Sequence, residues 1–143
     1  MKIEIKEATE NDIKEIHQIE IDGSNMWKES QFSDELTYDF SRMLLAKQNN
    51  VILGFIVAWI LPGEIQINNI AVNKNYRQKG IGKLLLNEII ERFSKIDCDR
   101  VFLEVKEKNI VAQQFYKLFN FKEIYIRKNY YRDDNAIVME KVL

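Results

Sequence analysis

Cysteine, histidine and proline are nearly absent from this sequence, which contains one residue of each type. Because Cys98 has no second cysteine in the chain to pair with, an internal disulfide is excluded. A zinc site needs several histidine or cysteine ligands, and His17 and Cys98 alone cannot assemble one within a single chain. We therefore expect no metal site, a structural role for His17, and a buried or incidental thiol at Cys98.

The sequence also lacks a strong excess of charge and a long apolar run. Its net charge is −1, so charge gives no general argument for binding nucleic acid. The most apolar run, residues 51–62, is too short to span a bilayer. With 46% apolar and 30% charged residues, the composition is that of a folded domain. We expect residues 1–143 to form one cytoplasmic domain, monomeric or weakly dimeric, that binds neither nucleic acid nor membranes.

Hydrophobic periodicity predicts a mixed α/β sheet of seven strands. Strands are predicted over residues 2–6, 41–47, 51–61, 65–72, 100–106, 121–130 and 135–142. A first helix is predicted to begin after Thr9 and end at Gly23, and a short second helix follows residue 27, with Ser33 as a possible cap. Two further helices are predicted over residues 80–95 and 109–119. The core face of the 80–95 helix is predicted to be Ile81, Leu84, Leu85, Ile89 and Phe93. The order β-α-α-β-β-β-α-β-α-β-β places a helix crossover in the middle of the sheet.

A glycine-rich turn, Arg77-Gln78-Lys79-Gly80-Ile81-Gly82, joins a predicted strand to a predicted helix. Such a turn leaves backbone N–H groups unpaired at the positive end of the helix dipole, which favours binding of a phosphate. Arg77, Lys79 and Lys83 add positive charge suited to a pyrophosphate. The turn lacks the motif of nucleotide triphosphatases and the glycine spacing of dinucleotide folds. It is therefore either an anion site or merely the start of a helix.

A carboxylate interrupts the apolar strand predicted over residues 100–106. Val101, Leu103 and Val105 share one face of that strand, and Phe102 and Glu104 share the other. A carboxylate with apolar neighbours in a central strand is unfavourable unless it faces a cleft or a partner. Glu104 is thus either a general base in a cleft or a solvated residue at a sheet edge.

The helix predicted over residues 109–119 carries two strips of side chains. Val111, Phe115 and Leu118 form one strip, which we expect to pack in the core. Asn109, Ala112 and Tyr116 form the other, which could line a groove. The alternative for Tyr116 is that it spans core and surface, a common use of tyrosine.

Together these motifs resemble those of the GNAT superfamily of N-acetyltransferases. The family's turn reads Gln/Arg-x-x-Gly-x-Gly/Ala, and residues 77–82 match it at each defined position. A later signature, an Asn followed by Ala and then Tyr-x-x-x-Gly-Phe, matches Asn109, Ala112 and residues 116–121, except that Asn120 replaces the glycine. Because asparagine tolerates the left-handed conformation, we expect this turn to be retained.

Within that superfamily, the sequence resembles in particular the RimI-type ribosomal-protein alanine N-acetyltransferases. Trp27-Lys28-Glu29 with Phe32, and residues 69–72, 103–105, 126–131 and 135–139, carry this resemblance. It implies a GNAT fold with a splay between the fourth and fifth strands, and acetyl-CoA as co-substrate. The implied acceptor is the α-amine of a protein N-terminus, above all the N-terminal alanine of a ribosomal protein.

The resemblance also implies roles for single residues. Glu104 is expected to be the base that deprotonates the α-amine, and Tyr116 the acid that protonates the departing thiolate. Trp27, Tyr130 and Tyr131 are expected to form the walls around the peptide N-terminus. The residues expected to hold acetyl-CoA are Ile70, Ala71, Val72, Arg77, Gln78, Lys79, Gly80, Ile81, Gly82, Lys83 and Asn109.

Two other functions are compatible with the same motifs. One is acetyl transfer to a small amine such as a polyamine, aminoglycoside or amino acid, although a polycation site should show more acidic loop residues. The other is a non-catalytic module that binds CoA or a protein partner, which would need neither Glu104 nor Tyr116. Arg127, Lys128 and Arg132 are interpreted as a solvated hairpin edge or as contacts to the substrate.

Overall fold

The computed structural model describes residues 2–94 and 98–143, which form an α/β structure around one mixed sheet of seven strands. The strands are β1 (Glu4–Glu7), β2 (Ser41–Gln48), β3 (Val51–Leu61), β4 (Gly63–Val72), β5 (Cys98–Lys106), β6 (Lys122–Arg127) and β7 (Ala136–Val142). The helices are α1 (Ile13–Asp22), α2 (Glu29–Glu35), α3 (Ile81–Phe93) and α4 (Ile110–Leu118), with short 3-10 turns at Glu10–Asp12 and Lys74–Tyr76. The predicted fold class and element order are confirmed.

Strands β4 and β5 form the parallel pair of a sheet whose spatial order is β1-β2-β3-β4-β5-β7-β6. Their pairing begins at Gly63 and Cys98 and ends at Ile67 and Leu103. Beyond that point β4 continues beside β3 as far as Val72, and β5 continues beside β7 as far as Lys106. The two strands therefore diverge and leave a wedge in the sheet, which is the predicted splay.

A β-bulge in β4 lies at the point where the wedge opens. Val57 of β3 pairs with Asn69, whereas the next residue, Ala58, pairs with Ile67. Asn68 is therefore the extra residue of the bulge. Because a bulge bends its strand and changes where side chains point, this one turns β4 away from β5.

Helices cover both faces of the sheet. On one face, α3 buries Ile81, Leu85, Leu86 and Ile89 against the strands. On the other, α1 and α2 bury Ile13, Ile16, Ile19 and Phe32 against β2 and β3. The predicted core face of α3 is wrong at one position, because Leu84 is exposed and Leu86 takes its place in the core. No helix within residues 2–94 and 98–143 is both long enough and apolar enough to cross a bilayer.

The predicted core face of α4 is wrong at two of its three positions, because only Phe115 packs against the core. Val111 and Leu118 are 80% and 84% exposed, whereas Gln113 and Tyr116 are buried. The Gln113 side chain donates to the carbonyls of Lys106 (3.2 Å) and Glu107 (2.7 Å), so a polar residue is satisfied on the buried face. The seven-residue spacing of Val111 and Leu118 resembles a core stripe, but α4 instead buries Gln113 and Tyr116.

Element ends differ from the predictions in a few places. Strand β6 ends at Arg127, so Tyr130 and Tyr131 lie in the loop before β7. Ser33 is not a cap but lies within α2, where its hydroxyl donates to Glu10 at 3.0 Å. Lys95, the predicted end of the third helix, lies outside the described residues. Asn120 has a φ of 68°, and the amide of Phe121 reaches back to the Tyr116 carbonyl at 3.2 Å, so the turn after α4 is retained.

Candidate functional site

A cleft of about 1060 Å³ opens where β4 and β5 diverge. Strands β4 and β5 contribute its floor, which includes Asn68, Ile70 and Glu104. Ala112 and Tyr116 of α4, with Asn109 at its N-cap, line the cleft as predicted for that strip of side chains. Its outer walls come from the α1–α2 loop and from the β6–β7 hairpin, and they include Trp27, Tyr130 and Tyr131. The structure thus brings both predicted catalytic residues and all three predicted wall residues to one cleft.

Glu104 is the residue of β5 immediately after its last pairing with β4. Its Oε1 lies 3.7 Å from the Nε atom of Arg127 on β6, and its Oε2 is buried without a hydrogen-bond partner. The guanidinium of Arg127 also lies 5.6 Å from the ring centres of both Tyr125 and Tyr130. Glu104 is therefore a carboxylate lining the cleft, with one oxygen beside a cation and one buried oxygen that accepts no hydrogen bond. The pairing with Arg127 was not predicted.

The tyrosines around Glu104 are held in their neutral form. Burial raises the pKa of Tyr116, and the nearby Tyr131 raises it further. Burial also raises the pKa of Tyr131 to about 12, with a smaller contribution from the negative charge of Glu104. The charge of Glu104 is the main cause of the raised pKa of Tyr130. All three phenols are consequently protonated at neutral pH.

The α1–α2 loop is fastened to the sheet by Glu20, which sequence reasoning missed. This fully buried carboxylate accepts from the Ser24 hydroxyl (2.8 Å) and from the amides of Met26 (2.9 Å) and Trp27 (3.0 Å). Its other oxygen accepts from Asn69 Nδ2 at 3.0 Å. Through these hydrogen bonds, Glu20 fixes the loop that carries Trp27, one wall of the cleft, to Asn69 of β4. The sequence did contain a signal for this role, because Glu20 lies four residues after Ile16 and so falls on the apolar stripe of α1.

The β6–β7 loop is held from the other side of the cleft. The Tyr130 and Tyr131 rings meet edge to face at 5.1 Å, and the ammonium of Lys106 lies 5.4 Å from the Tyr131 ring centre. Lys106 also pairs with Asp133 at 3.1 Å, and the amide of Lys108 donates to Asp134 at 2.8 Å. The loop that carries the two tyrosines is therefore tied to the end of β5.

The glycine-rich turn lies at the end of β4 and has the geometry of an anion site. Gln78 and Gly80 have φ values of 62° and 81°, and Leu84 is the first residue whose amide donates into the helix, to the Gly80 carbonyl at 3.0 Å. The amides of residues 78–83 donate to no backbone carbonyl within the described part of the chain. A Cβ on Gly82 would lie 3.4 Å from the Phe115 ring, which is an ordinary van der Waals contact, so space alone does not require glycine at this position.

The side chains predicted to hold a cofactor divide between the turn and the cleft. Arg77 folds back so that its Nε donates to the Val72 carbonyl at 3.2 Å, and the ammonium of Lys79 lies 5.8 Å from the Tyr76 ring centre. Ile70 and Asn109 line the cleft, and the Asn109 side chain also caps α4 by accepting from the Ala112 amide at 3.1 Å. The main chain of residues 70–72 pairs with β3 alone, so its edge toward β5 is open.

The remaining candidates lie away from the cleft. His17 packs edge-on to Phe32 at 6.5 Å on α1, which fits a structural role. Cys98 is buried at the start of β5. Across residues 2–94 and 98–143, no group of three or more histidine, cysteine or acidic side chains is arranged to hold a metal ion.

Comparisons with known proteins point to one family. The sequence profile of the Acetyltransferase (GNAT) family matches residues 9–121. The chain is 30% identical over 142 residues to the putative [ribosomal protein bS18]-alanine N-acetyltransferase of Bacillus subtilis, covering 96% of this chain and 94% of that protein. Its fold matches the crystal structure of the ribosomal-protein-S18-alanine N-acetyltransferase from Escherichia coli with a TM-score of 0.90 and 27% identity, covering 99% and 94% of the two chains. It also matches Arabidopsis thaliana NAA60 in complex with acetyl-CoA, with a TM-score of 0.89 and 19% identity over 99% of each chain.

Proposed function

Because this chain belongs to the GNAT family of acetyltransferases, we propose that it transfers the acetyl group of acetyl-CoA to the α-amine of a protein N-terminus in the cytoplasm. The N-terminal alanine of a ribosomal protein is the proposed acceptor, since the curated relatives similar to this chain carry that activity in their names. One observation carries the chemical part of the proposal. An unpaired carboxylate oxygen of Glu104 and the phenol of Tyr116 line the same wedge between β4 and β5.

The residues around the wedge fit acetyl-CoA. Unpaired amides in residues 78–83, with Lys79 and Lys83 beside them, suit its pyrophosphate. The open edge of β4 at Ile70, Ala71 and Val72 offers main-chain groups that its pantetheine arm can pair with as an added strand. Asn109 stands across the wedge from that edge. When bound this way, acetyl-CoA supplies an activated acetyl thioester to the cleft.

Glu104 is the proposed general base. An α-ammonium has a reference pKa of about 7.7–8 and must lose a proton before it can attack a thioester. Glu104 lines the cleft and its Oε2 atom accepts no hydrogen bond within the protein, so this oxygen is the proposed acceptor of that proton. Arg127 holds the other carboxylate oxygen and so orients the group.

Tyr116 is the proposed general acid. Attack of the amine forms the C–N bond of the product amide, and the C–S bond breaks with the electron pair passing to sulfur. The phenol of Tyr116, which its raised pKa keeps protonated until the thiolate forms, gives its proton to that sulfur. The nitrogen gives up its second proton as the amide forms, and that proton restores the Tyr116 phenol. No covalent intermediate on the protein is required.

The acceptor is proposed to enter between Trp27 and the pair Tyr130–Tyr131. These aromatic residues stand on opposite walls of the cleft, and each belongs to a loop that buried or paired side chains fasten to the sheet. Rigid aromatic walls of this kind suit a short extended peptide segment. Ile70 and Glu104 would then meet the amine at the floor.

The cleft also has a feature that favours a second acceptor class. Asp34 and Glu35 of α2 and Glu64 of β4 line the same cleft as Glu104. Such acidic side chains were expected for a polyamine and were not predicted at this place. Glu35 is partly accounted for, because it accepts from Ser41 (2.6 Å) and from the Trp59 indole (2.7 Å). A small polyamine therefore stays a candidate acceptor.

A panel of acceptors separates these functions. The protein is incubated with acetyl-CoA and peptides that begin with Ala, Ser, Met or Lys, with spermidine, and with an Ala peptide whose α-amine is already acetylated. Release of CoA with the Ala peptide and none with its blocked form is the expected result. Release with spermidine alone would establish the small-amine function instead. Binding of acetyl-CoA without release for any acceptor would indicate a non-catalytic module.

A further inference from the structure

Two buried side-chain atoms in the described part of the chain lack a hydrogen-bond partner, and both belong to residues that line the same cleft. They are Nδ2 of Asn68, a donor, and Oε2 of Glu104, an acceptor. Buried polar atoms are nearly always paired, because an unpaired one loses its hydration without compensation. Glu104 is accounted for by the proposed function, but Asn68 is not.

The fold sets these two atoms on opposite sides of the wedge. Ile67 and Leu103 are the last paired residues of β4 and β5, and Asn68 and Glu104 follow them directly. Asn68 is also the extra residue of the β4 bulge, and bulges next to active sites commonly direct a side chain. The neighbouring residue Asn69 differs from Asn68, because the Nδ2 atom of Asn69 donates to Glu20 and so has a structural role.

We infer that Asn68 is a specificity-determining residue that donates a hydrogen bond to the first carbonyl oxygen of the acceptor peptide. This inference rests on the proposed function, in which Glu104 takes a proton from the acceptor amine. In an N-terminal residue, the amine and the carbonyl oxygen are attached through the same Cα atom. A donor beside an acceptor at the floor of the cleft matches that pair of groups. A polyamine, or a lysine side chain, has no carbonyl beside its amine and would leave Asn68 unpaired.

Selectivity follows from the unpaired donor. A site built to bond a polar group disfavours an analogue without that group, because the buried donor then stays unsatisfied. Asn68 thereby favours α-amines of peptides over simple amines, although both can reach Glu104. The same reasoning predicts that the Nδ2 group of Asn68 adds no hydrogen bond to the folded state, since it has no partner in the protein.

The test pairs two variants with two acceptors. Asn68→Leu removes the donor while keeping a side chain of comparable length, and Asn68→Ala removes the side chain. The acceptors are an Ala-initiated peptide and the same peptide with its first amide replaced by an alkene, which lacks the carbonyl oxygen. We expect each variant to lower kcat/KM for the normal peptide by about 10-fold, roughly the effect of one buried hydrogen bond. For the alkene peptide the variants should match wild type within about 2-fold, with an unchanged KM for acetyl-CoA in all cases.

Thermal denaturation supplies a readout that is independent of activity. Removal of an unpaired buried donor should leave the Tm of Asn68→Leu unchanged or higher. A lower Tm, or an equal loss of kcat/KM with both peptides, would assign Asn68 a structural role and overturn the inference. Variants that acetylate the normal peptide as fast as wild type would also overturn it while leaving the proposed function intact. If wild type acetylates neither peptide but acetylates spermidine, the proposed function fails and the inference fails with it.

Discussion

Replacement of Glu20 by alanine is expected to lower the stability of the protein by about 3 kcal/mol. The carboxylate is fully buried and accepts hydrogen bonds from Ser24, Met26, Trp27 and Asn69. Each hydrogen bond to a charged group contributes about 1.5–3 kcal/mol. The loop donors can recover water when the loop opens, so the net loss is smaller than four such bonds, and about 3 kcal/mol corresponds to the one or two neutral donors that stay buried without a partner, at about 1–3 kcal/mol each.

Thermal unfolding followed by circular dichroism measures this loss. An unfolding entropy of about 2.1 cal/mol/K per residue amounts to about 0.3 kcal/mol/K for a chain of this length, so about 3 kcal/mol lowers Tm by about 10 °C. Asp22→Ala is the matched control on the same helix. Asp22 has only a surface ion pair with Lys74 at 3.8 Å and a bond from Gln18, so its removal should shift Tm by less than about 3 °C. Equal Tm values for the two variants would refute the assigned role of Glu20.

Three other perturbations have definite expected outcomes. Tyr116→Phe should lower kcat with little change in the KM for acetyl-CoA, and unchanged turnover at all pH values would remove Tyr116 from the mechanism. Burial raises the pKa of Tyr116 above its unfolded value of about 10, so its contribution to stability is complete below about pH 10. That contribution is lost as pH rises further, by up to about 1.4 kcal/mol per pH unit. Above pH 10 the Tm of Tyr116→Phe should therefore fall less steeply than that of wild type, and parallel curves would contradict this. Gly54→Ala should destabilise the sheet by about 1–3 kcal/mol in urea denaturation, since its Cβ would lie 2.8 Å from the Ala71 carbonyl oxygen; a wild-type midpoint would show that β3 and β4 adjust without loss.

The parts of the fold that could be predicted are those set by local patterns. Alternation along the strands gave the sheet, and the glycine-rich turn marked the start of α3. The opposite faces of β5 were also predicted correctly, with Leu103 on one and Glu104 on the other, whereas the strand pattern alone left open whether Glu104 lies in a cleft. In each case the deciding residues are close together in the sequence, so periodicity is enough.

The parts that were missed depend on partners distant in the chain. Nothing local to Arg127 indicates that it meets Glu104, because the pairing exists only when β6 and β5 lie on either side of β7. The same is true of the bond between Glu20 and Asn69. The bulge did have a local signal, since Ile65, Ile67 and Ile70 break the alternation of β4 by one residue. Helix α4 misled the prediction because its solvent face is apolar at Val111 and Leu118.

The account depends most on Glu104 as the base for an α-amine beside acetyl-CoA. The direct test compares kcat/KM of wild type and Glu104→Gln for an Ala-initiated peptide from about pH 6 to about pH 10, with acetyl-CoA affinity measured by calorimetry. Near pH 7 most of the amine is protonated, so the variant should be slower by roughly 10- to 100-fold, and the difference should shrink above the amine pKa of about 8. Acetyl-CoA affinity should be unchanged. A deficit of equal size at every pH, or a parallel loss of acetyl-CoA affinity, would contradict the account.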